Sequence, residues 1–328
     1  MLKIGLPGCG RIGQVHARSV GQLDDVRITA LSDANPEAAQ ALALKTGAEV
    51  RSSDAVIASE DVDAVVIGTP TDTHYDLIHK AAAAGKAIFC EKPVDMSADR
   101  IRDCQKAVAK AGVPFLTALN RRFDPSFSNL QKRLRAGEIG DVEIVSIQSR
   151  DPAPPPISYI KTSGGLFRDM MIHDLDMARF LLDEEPVLVF AVGAALVDPA
   201  IGAAGDVDTA AVTLTTASGK ICQISNSRRA TYGYDQRIEV HGSKGMLRAA
   251  NVLENTVESA GSSGFTTAPA QHFFLERYEA AYRIEMATFV QAVTSGTPLS
   301  PSIEDGLRAQ ILADAAAKSL ETGAPVRV

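Results

Sequence analysis

Six residues near the N-terminus, Gly8-Cys9-Gly10-Arg11-Ile12-Gly13, follow a short apolar run at 3–6 and open directly into a helical pattern at 11–22. A GxGxxG segment is common by itself, but between a strand and a helix it is a dinucleotide-binding turn. Gly8 allows the tight turn, Gly10 lets the backbone approach a pyrophosphate, and Gly13 allows close packing of helix on strand. Arg11 and Ile12 lie within the same turn, where the first backbone N–H groups of the helix and its dipole face an anion. This feature places a nucleotide at the N-terminal end of the chain and leaves the reaction open.

The pattern around it extends the argument. Strand-like runs at 3–6, 26–32, 64–68, 87–90 and 115–118 alternate with helical runs at 11–22, 36–45, 73–84 and 98–111. That alternation predicts βαβ units and a doubly wound parallel sheet. Past residue 120 the order changes. A run at 142–148 leads into the stiff Asp151-Pro152-Ala153-Pro154-Pro155-Pro156 connector, and a helix is expected over 165–182. Strand-like runs at 187–192, 209–215, 220–225 and 237–241 then follow with only turn residues between them, before helical runs at 273–293 and 303–320. Consecutive strands without intervening helices predict a large open, mostly antiparallel sheet. A chain of 328 residues exceeds one core. The expected division is a Rossmann domain at 1–120 and a second α/β domain at 121–328.

Other strand ends supply the candidate chemistry. Asp33 follows the second run, twenty residues after Gly13, where a carboxylate can accept hydrogen bonds from ribose hydroxyls. No Arg or Lys occurs in Ala34-Asn35-Pro36-Glu37, so a 2′-phosphate would meet uncompensated negative charge, and NAD is expected over NADP. Thr69-Pro70-Thr71-Asp72-Thr73-His74 and Glu91-Lys92-Pro93 follow two further runs. Ligands of open α/β sheets bind beyond the carboxyl ends of the strands. Thr69, Pro70, His74, Glu91 and Lys92 are therefore candidate cofactor contacts, and the Lys92 cation is placed to stabilise a developing alkoxide.

In the second half, Asp169 and His173 are four residues apart, which on one helix puts them on one face. A carboxylate there holds an imidazole in one tautomer while the other ring nitrogen meets a substrate proton. Asp174 and Asp176 lie close by, but one His without a second ligating His at helical spacing does not predict a metal.

Composition narrows the classes. With 33 basic and 40 acidic side chains the net charge is -7, which opposes a nucleic-acid partner. No apolar stretch is long enough for a membrane-spanning helix, and the N-terminus opens into a strand-like run without a signal-peptide pattern. A cytoplasmic protein is expected. Cys9, Cys90, Cys104 and Cys222 show no CxxC spacing and are expected to be reduced.

Taken together, Gly8 to Gly13, Glu91-Lys92-Pro93 and the Asp169/His173 pair resemble the glucose-fructose oxidoreductase/inositol dehydrogenase family over nearly the whole chain. Asn120-Arg121-Arg122-Phe123-Asp124-Pro125, Ser149-Arg150-Asp151-Pro152 and Gly165-Leu166-Phe167-Arg168-Asp169-Met170 look like its inositol 2-dehydrogenase branch. The resemblance implies oxidation of myo-inositol to 2-keto-myo-inositol, with Lys92, Asp169 and His173 catalytic. It also implies substrate contacts from Arg122, Asp151, Tyr234 and Tyr282, and a homotetramer built through the open sheets. Two departures stand out: Pro7 in the first turn, and Arg150-Asp151 where some inositol enzymes carry other polar residues. An aldose or a scyllo- or chiro-inositol is the alternative substrate, and a non-catalytic NAD-binding sensor is the alternative of another class.

Overall fold

The computed structural model describes residues 1–328. It divides into two compact units, Met1–Phe123 with Ala280–Gln310, and Asp124–Glu279 with Ile311–Val328.

The first unit is built on a six-stranded sheet of β1 (Leu2–Pro7), β2 (Val26–Ser32), β3 (Glu49–Val50), β4 (Ala64–Ile67), β5 (Ala87–Glu91) and β6 (Phe115–Ala118). The strand order is β3-β2-β1-β4-β5-β6 and every pairing is parallel. β4 and β5 are buried along their whole length, which is why they read as unbroken apolar runs rather than alternating ones. The crossovers carry α1 (Arg11–Val20), α2 (Pro36–Thr46), α3 (Ser53–Ala58), α4 (His74–Ala83) and α5 (Ala98–Ala111). Local chemistry sets their ends. Asn35 caps α2 by accepting the Glu37 and Ala38 N–H groups with Pro36 in the first turn, and Gly112 ends α5 in the left-handed conformation. The short β3 and α3 carry too few residues to show a period.

The second unit holds α6 (Pro125–Arg135), β7 (Val142–Arg150), α7 (Ile157–Ser163), α8 (Gly165–Asp169), α9 (Ile172–Leu182), β8 (Pro186–Ala194) and α10 (Pro199–Ala203). There follow β9 (Thr209–Thr216), β10 (Ile221–Ser227), β11 (Asp235–Gly242), β12 (Gly245–Ala249), the hairpin β13 (Glu258–Gly261) and β14 (Gly264–Thr267), α11 (Phe274–Arg277) and β15 (Val326–Arg327). Its seven-stranded sheet runs β12-β11-β7-β10-β9-β8-β15, antiparallel except for the pair β7 and β10. β9 shows the expected alternation, burying Ala210, Val212, Leu214 and Thr216 on one side. The sheet strands also leave Ile144, Phe190, Val192 and Met246 exposed.

Two expectations need correction. The helix expected over 165–182 is two helices: the chain breaks at Met170 and Met171, where the Met171 N–H reaches back five residues to the Leu166 carbonyl. Neither Gly nor Pro marks this break, so periodicity alone runs through it. Asp169 and His173 are therefore not one turn apart on a continuous helix. The chain also does not divide at a single boundary near 120, because Ala280–Gln310 belongs to the first unit. That segment contains most of α12 (Glu279–Ser295) and the start of α13 (Ile303–Thr322). Met286, Phe289 and Val290 complete the apolar cluster that includes Leu6, Val66 and Phe89, with the Phe89 and Phe289 rings edge to face at 5.5 Å. The sequence pattern gives the helix but not which core receives it. No helix is long and apolar enough to cross a membrane.

Candidate functional site

In the first unit the predicted cofactor residues gather at one edge of the parallel sheet. The glycine turn follows β1, Asp33 follows β2, Thr69 and Pro70 follow β4, and Lys92 follows β5. β1 lies between β2 and β4, so the strand order reverses direction there, which is where such sheets open a crevice.

Two of the three glycines of the turn lie in close backbone contact. Gly8 has φ 97° and a Cβ on it would overlap the Gly68 backbone. A Cβ on Gly13 would overlap the Gly8 carbonyl. Gly10 differs: a Cβ there would meet no atom of the chain, so the space above it is open. It sits at the N-cap of α1 with no side-chain cap, leaving the first N–H groups of that helix facing this space. An open cradle over a helix N-terminus fits a pyrophosphate. Asp33 is fixed at its rim, accepting the Cys9 N–H at 2.6 Å and the Asn35 N–H at 2.8 Å.

The Glu91-Lys92-Pro93 loop is braced from two sides. His16 Nε2 on α1 donates to Glu91 Oε1 at 2.7 Å, and the other carboxylate oxygen accepts the Lys92 N–H at 3.2 Å. His74 is buried, with its ring nitrogens 2.9 Å from the Pro93 and Thr69 carbonyls, so it ties the loop after β4 to the loop after β5. Burial outweighs those two carbonyls and holds the His74 pKa below its ordinary value, and a neutral ring donates to one of them at a time. Arg122 donates to Asp305 at 2.8 Å. Tyr282 is buried with its ring edge-on to His16 at 6.1 Å.

Sequence reasoning missed two members of this cluster. His16 and Glu285 fall within ordinary helical patterns, and only the fold brings them to Glu91. Glu285 on α12 is fully buried and neither carboxyl oxygen has a hydrogen-bond partner. Burial first, and the nearby Glu91 charge second, push its pKa well above the ordinary carboxyl value, so it holds a proton.

The second unit assembles another group. β7 and β10 are parallel neighbours, so their carboxyl ends deliver Asp151 and Arg228 to the same side, where the Asp151 N–H bonds the Ser227 carbonyl at 2.9 Å. Asp169 ends α8, accepting the Tyr159 hydroxyl at 2.9 Å on Oδ1 and the Arg228 guanidinium at 3.1 Å on Oδ2. His173 lies in the first turn of α9 and is half-buried. Asp174 is consumed by Ser149 at 2.6 Å and Asn226 at 2.8 Å, and Asp176 pairs with Arg179. No group of three His, Cys, Asp or Glu side chains is arranged to hold a metal. Tyr234 is buried, its ring edge-on to Tyr278 at 6.0 Å. Arg228 and Tyr159 were not anticipated; Arg228 directly follows β10, which extends two residues beyond the run at 220–225.

Residues 2–119 match the oxidoreductase family model with an NAD-binding Rossmann fold, and residues 127–248 match the GFO/IDH/MocA C-terminal domain. The chain belongs to the GFO/IDH/MocA oxidoreductase family. Within that family it is 55% identical over 319 residues to the inositol 2-dehydrogenase of Rhizobium meliloti (strain 1021), covering 97% of each chain. It is 45% identical to the myo-inositol 2-dehydrogenase of Thermotoga maritima, covering 100% of this chain and 98% of the other. Among solved structures, the scyllo-inositol dehydrogenase of Lactobacillus casei with bound NAD(H) and scyllo-inositol superposes with a TM-score of 0.94 at 30% identity, covering 100% of this chain and 99% of that one. The first unit of this GFO/IDH/MocA chain is thus an NAD-binding Rossmann fold, and the doubly wound sheet joined to a mostly antiparallel one is the expected architecture.

Two predictions follow from this geometry. Gly13→Ala, which forces a methyl onto the Gly8 carbonyl, should raise the NADH dissociation constant in calorimetry by more than about tenfold, roughly 1.4 kcal/mol. The second concerns Glu285. Because its folded pKa lies above its ordinary value of 4.5, the folded chain retains a proton that the unfolded chain releases as pH rises past that value. Stability is therefore lost with rising pH through this group. Glu285→Gln should melt close to the parent near pH 4 and increasingly above it toward pH 8.

Proposed function

We propose that this chain is an NAD-dependent inositol 2-dehydrogenase that oxidises the C2 hydroxyl of myo-inositol to 2-keto-myo-inositol. The observation that carries the reading is a lysine at the cofactor edge of the Rossmann sheet, with an aspartate and a histidine in the second unit. This set occurs in a chain whose full-length relatives include inositol 2-dehydrogenases. A sensor that only bound NAD would have no use for that set.

In this reading Gly8, Gly10, Arg11, Ile12, Gly13, Asp33, Thr69, Pro70, His74, Glu91 and Lys92 form the cofactor side, the first five through backbone and helix dipole, Asp33 through the ribose hydroxyls, and His74 and Glu91 as braces. NAD, when bound, supplies the acceptor for the hydride leaving the substrate carbon. Lys92 donates a hydrogen bond to the reacting oxygen and stabilises its developing negative charge. His173 accepts the hydroxyl proton as general base, and the Asp169 carboxylate stabilises the resulting imidazolium. One hydride and one proton leave the alcohol, which balances the ketone formed. Arg122, Asp151, Tyr234 and Tyr282 are assigned to the remaining hydroxyls of the ring.

The exposed Ile144, Phe190, Val192 and Met246 of the open sheet support a homotetramer built through that sheet. Four free, buried cysteines suit a reducing compartment, and we place the enzyme in the cytoplasm.

The test follows NADH formation with NAD against myo-, scyllo- and chiro-inositol, glucose and xylose, with NADP in parallel. Rapid reduction of NAD by myo-inositol with 2-keto-myo-inositol as product is expected. Preferential turnover of another isomer or of an aldose would reassign the substrate, and silence throughout would leave an NAD sensor. His173→Ala should lower kcat by about 10²- to 10⁴-fold while NADH still binds in calorimetry. Unchanged turnover would remove His173 from the mechanism.

A further inference from the structure

The buried face of the second sheet changes character at one end. Across the adjacent strands β10, β7 and β11, Cys222, Val145 and Val240 form one registered row, and Ile224, Ile147 and Ile238 form the next. The third row is Asn226, Ser149 and Gln236. All of these residues are buried, the three polar ones to 1% exposure. Apolar packing accounts for the first two rows. It does not account for two amides and a hydroxyl side by side, because such groups are enclosed at low cost only when they are hydrogen-bonded.

Two members of the row share a partner from α9. Asp174, with no exposed surface, accepts the Ser149 hydroxyl at 2.6 Å on Oδ1 and the Asn226 amide N–H at 2.8 Å on Oδ2. Asn226 makes that bond at the expense of its own carbonyl oxygen, which is buried and has no partner. The amide is therefore oriented by Asp174. Gln236 closes the row, with its Oε1 3.0 Å from the Tyr278 hydroxyl and 3.1 Å from the Ser149 oxygen. Asp174 is the third residue of α9 and His173 the second. This helix starts afresh after the break at Met170 and Met171, and its N-cap residue, Met171, makes no side-chain capping bond. Its first turn is bonded to the sheet through the Asp174 side chain instead.

We infer that Asp174 is a positioning residue: bonded to Ser149 and Asn226, it pins the first turn of α9 to β7 and β10 and so sets where the His173 imidazole stands. The inference rests on the proposed role of His173 as general base. Ser149 and Asn226 each lie two residues before Asp151 and Arg228, so the pin refers α9 to the two strand ends that carry the rest of the cluster. A base displaced by about 1 Å from the proton it takes loses up to about 10²-fold in rate. The proposed NAD contacts lie in the first unit and do not depend on this row.

Removing the bond and reversing it test the pin. Asn226→Leu keeps the volume and deletes the donor, and should lower kcat on myo-inositol by about tenfold or more; adding Ser149→Ala should bring the loss to about 10²-fold. The pair Asp174→Asn with Asn226→Asp restores an amide-to-carboxyl bond running the other way and should recover kcat to within about threefold of the parent. NADH affinity in calorimetry should stay within about twofold throughout. With ¹³C in the histidine rings, the His173 resonance, assigned by its loss in His173→Ala, should move in the two loss variants and return in the reversed pair, while that of His241 on β11 stays in place. If the double loss fails to fold, Asn226→Leu and Ser149→Ala taken singly decide by the same readouts. Parent kcat and an unmoved His173 resonance in every folded loss variant overturn the inference, even if melting temperatures change. A reversed pair no better than Asn226→Leu also overturns it. A His173 resonance that moves and returns in this pattern, in a protein that oxidises no inositol, retains the pin and refutes the proposed reaction.

Discussion

The nucleotide edge of the first unit depends on three backbones approaching one another without side chains between them. Gly8 turns with positive φ against the Gly68 backbone at the end of β4, and Gly13 on α1 closes onto the Gly8 carbonyl. Any side chain at Gly8 or Gly13 would separate helix from turn or turn from strand. Once that contact is made, α1 starts with its free N–H groups over the gap between β1 and β4. It also carries His16 across to Glu91, so the same close approach fixes the loop bearing Lys92. The steric demand of two glycines is transmitted to a charged side chain some eighty positions away in sequence.

Much of this was legible in the residues. The Rossmann half announces itself because each level agrees: continuous apolar runs where strands are covered on both faces, a Pro and Asn pair where α2 begins, and a glycine where α5 ends. The strands at 26–32 and 115–118 and the helix at 98–111 fall where the pattern places them. What was not legible depends on tertiary context. The Met170–Met171 break has no breaker residue, and the pattern of α12 states that one side is apolar without saying which core will cover it. The parallel pairing of β7 with β10 is likewise a matter of topology, since consecutive strand-like runs read as hairpins.

The candidate site divides along the same line. Asp33, the glycine turn and Lys92 are visible because they sit at predictable distances after strands. Arg228, Tyr159, His16 and Glu285 are not, because each is a partner chosen in space rather than by spacing. The Asp169 and His173 pair is instructive: both residues were found from a helical interval that the fold does not keep. Asp169 is held instead by a tyrosine from α7 and an arginine from the end of β10.

The four cysteines have a consequence of their own. All are free and buried, and burial pushes the thiol of Cys9 up to about 11 and that of Cys104 up to about 12, with Cys90 and Cys222 raised as well. Thiolate, the form that reacts with alkylating agents and peroxides, is therefore scarce in the native chain at neutral pH. Each cysteine becomes reactive only when its surroundings open. Cys9, Cys90 and Cys104 lie in the first unit and Cys222 in the second, so the order in which the four thiols are labelled under mild denaturation is a built-in record of which half of the molecule loosens first.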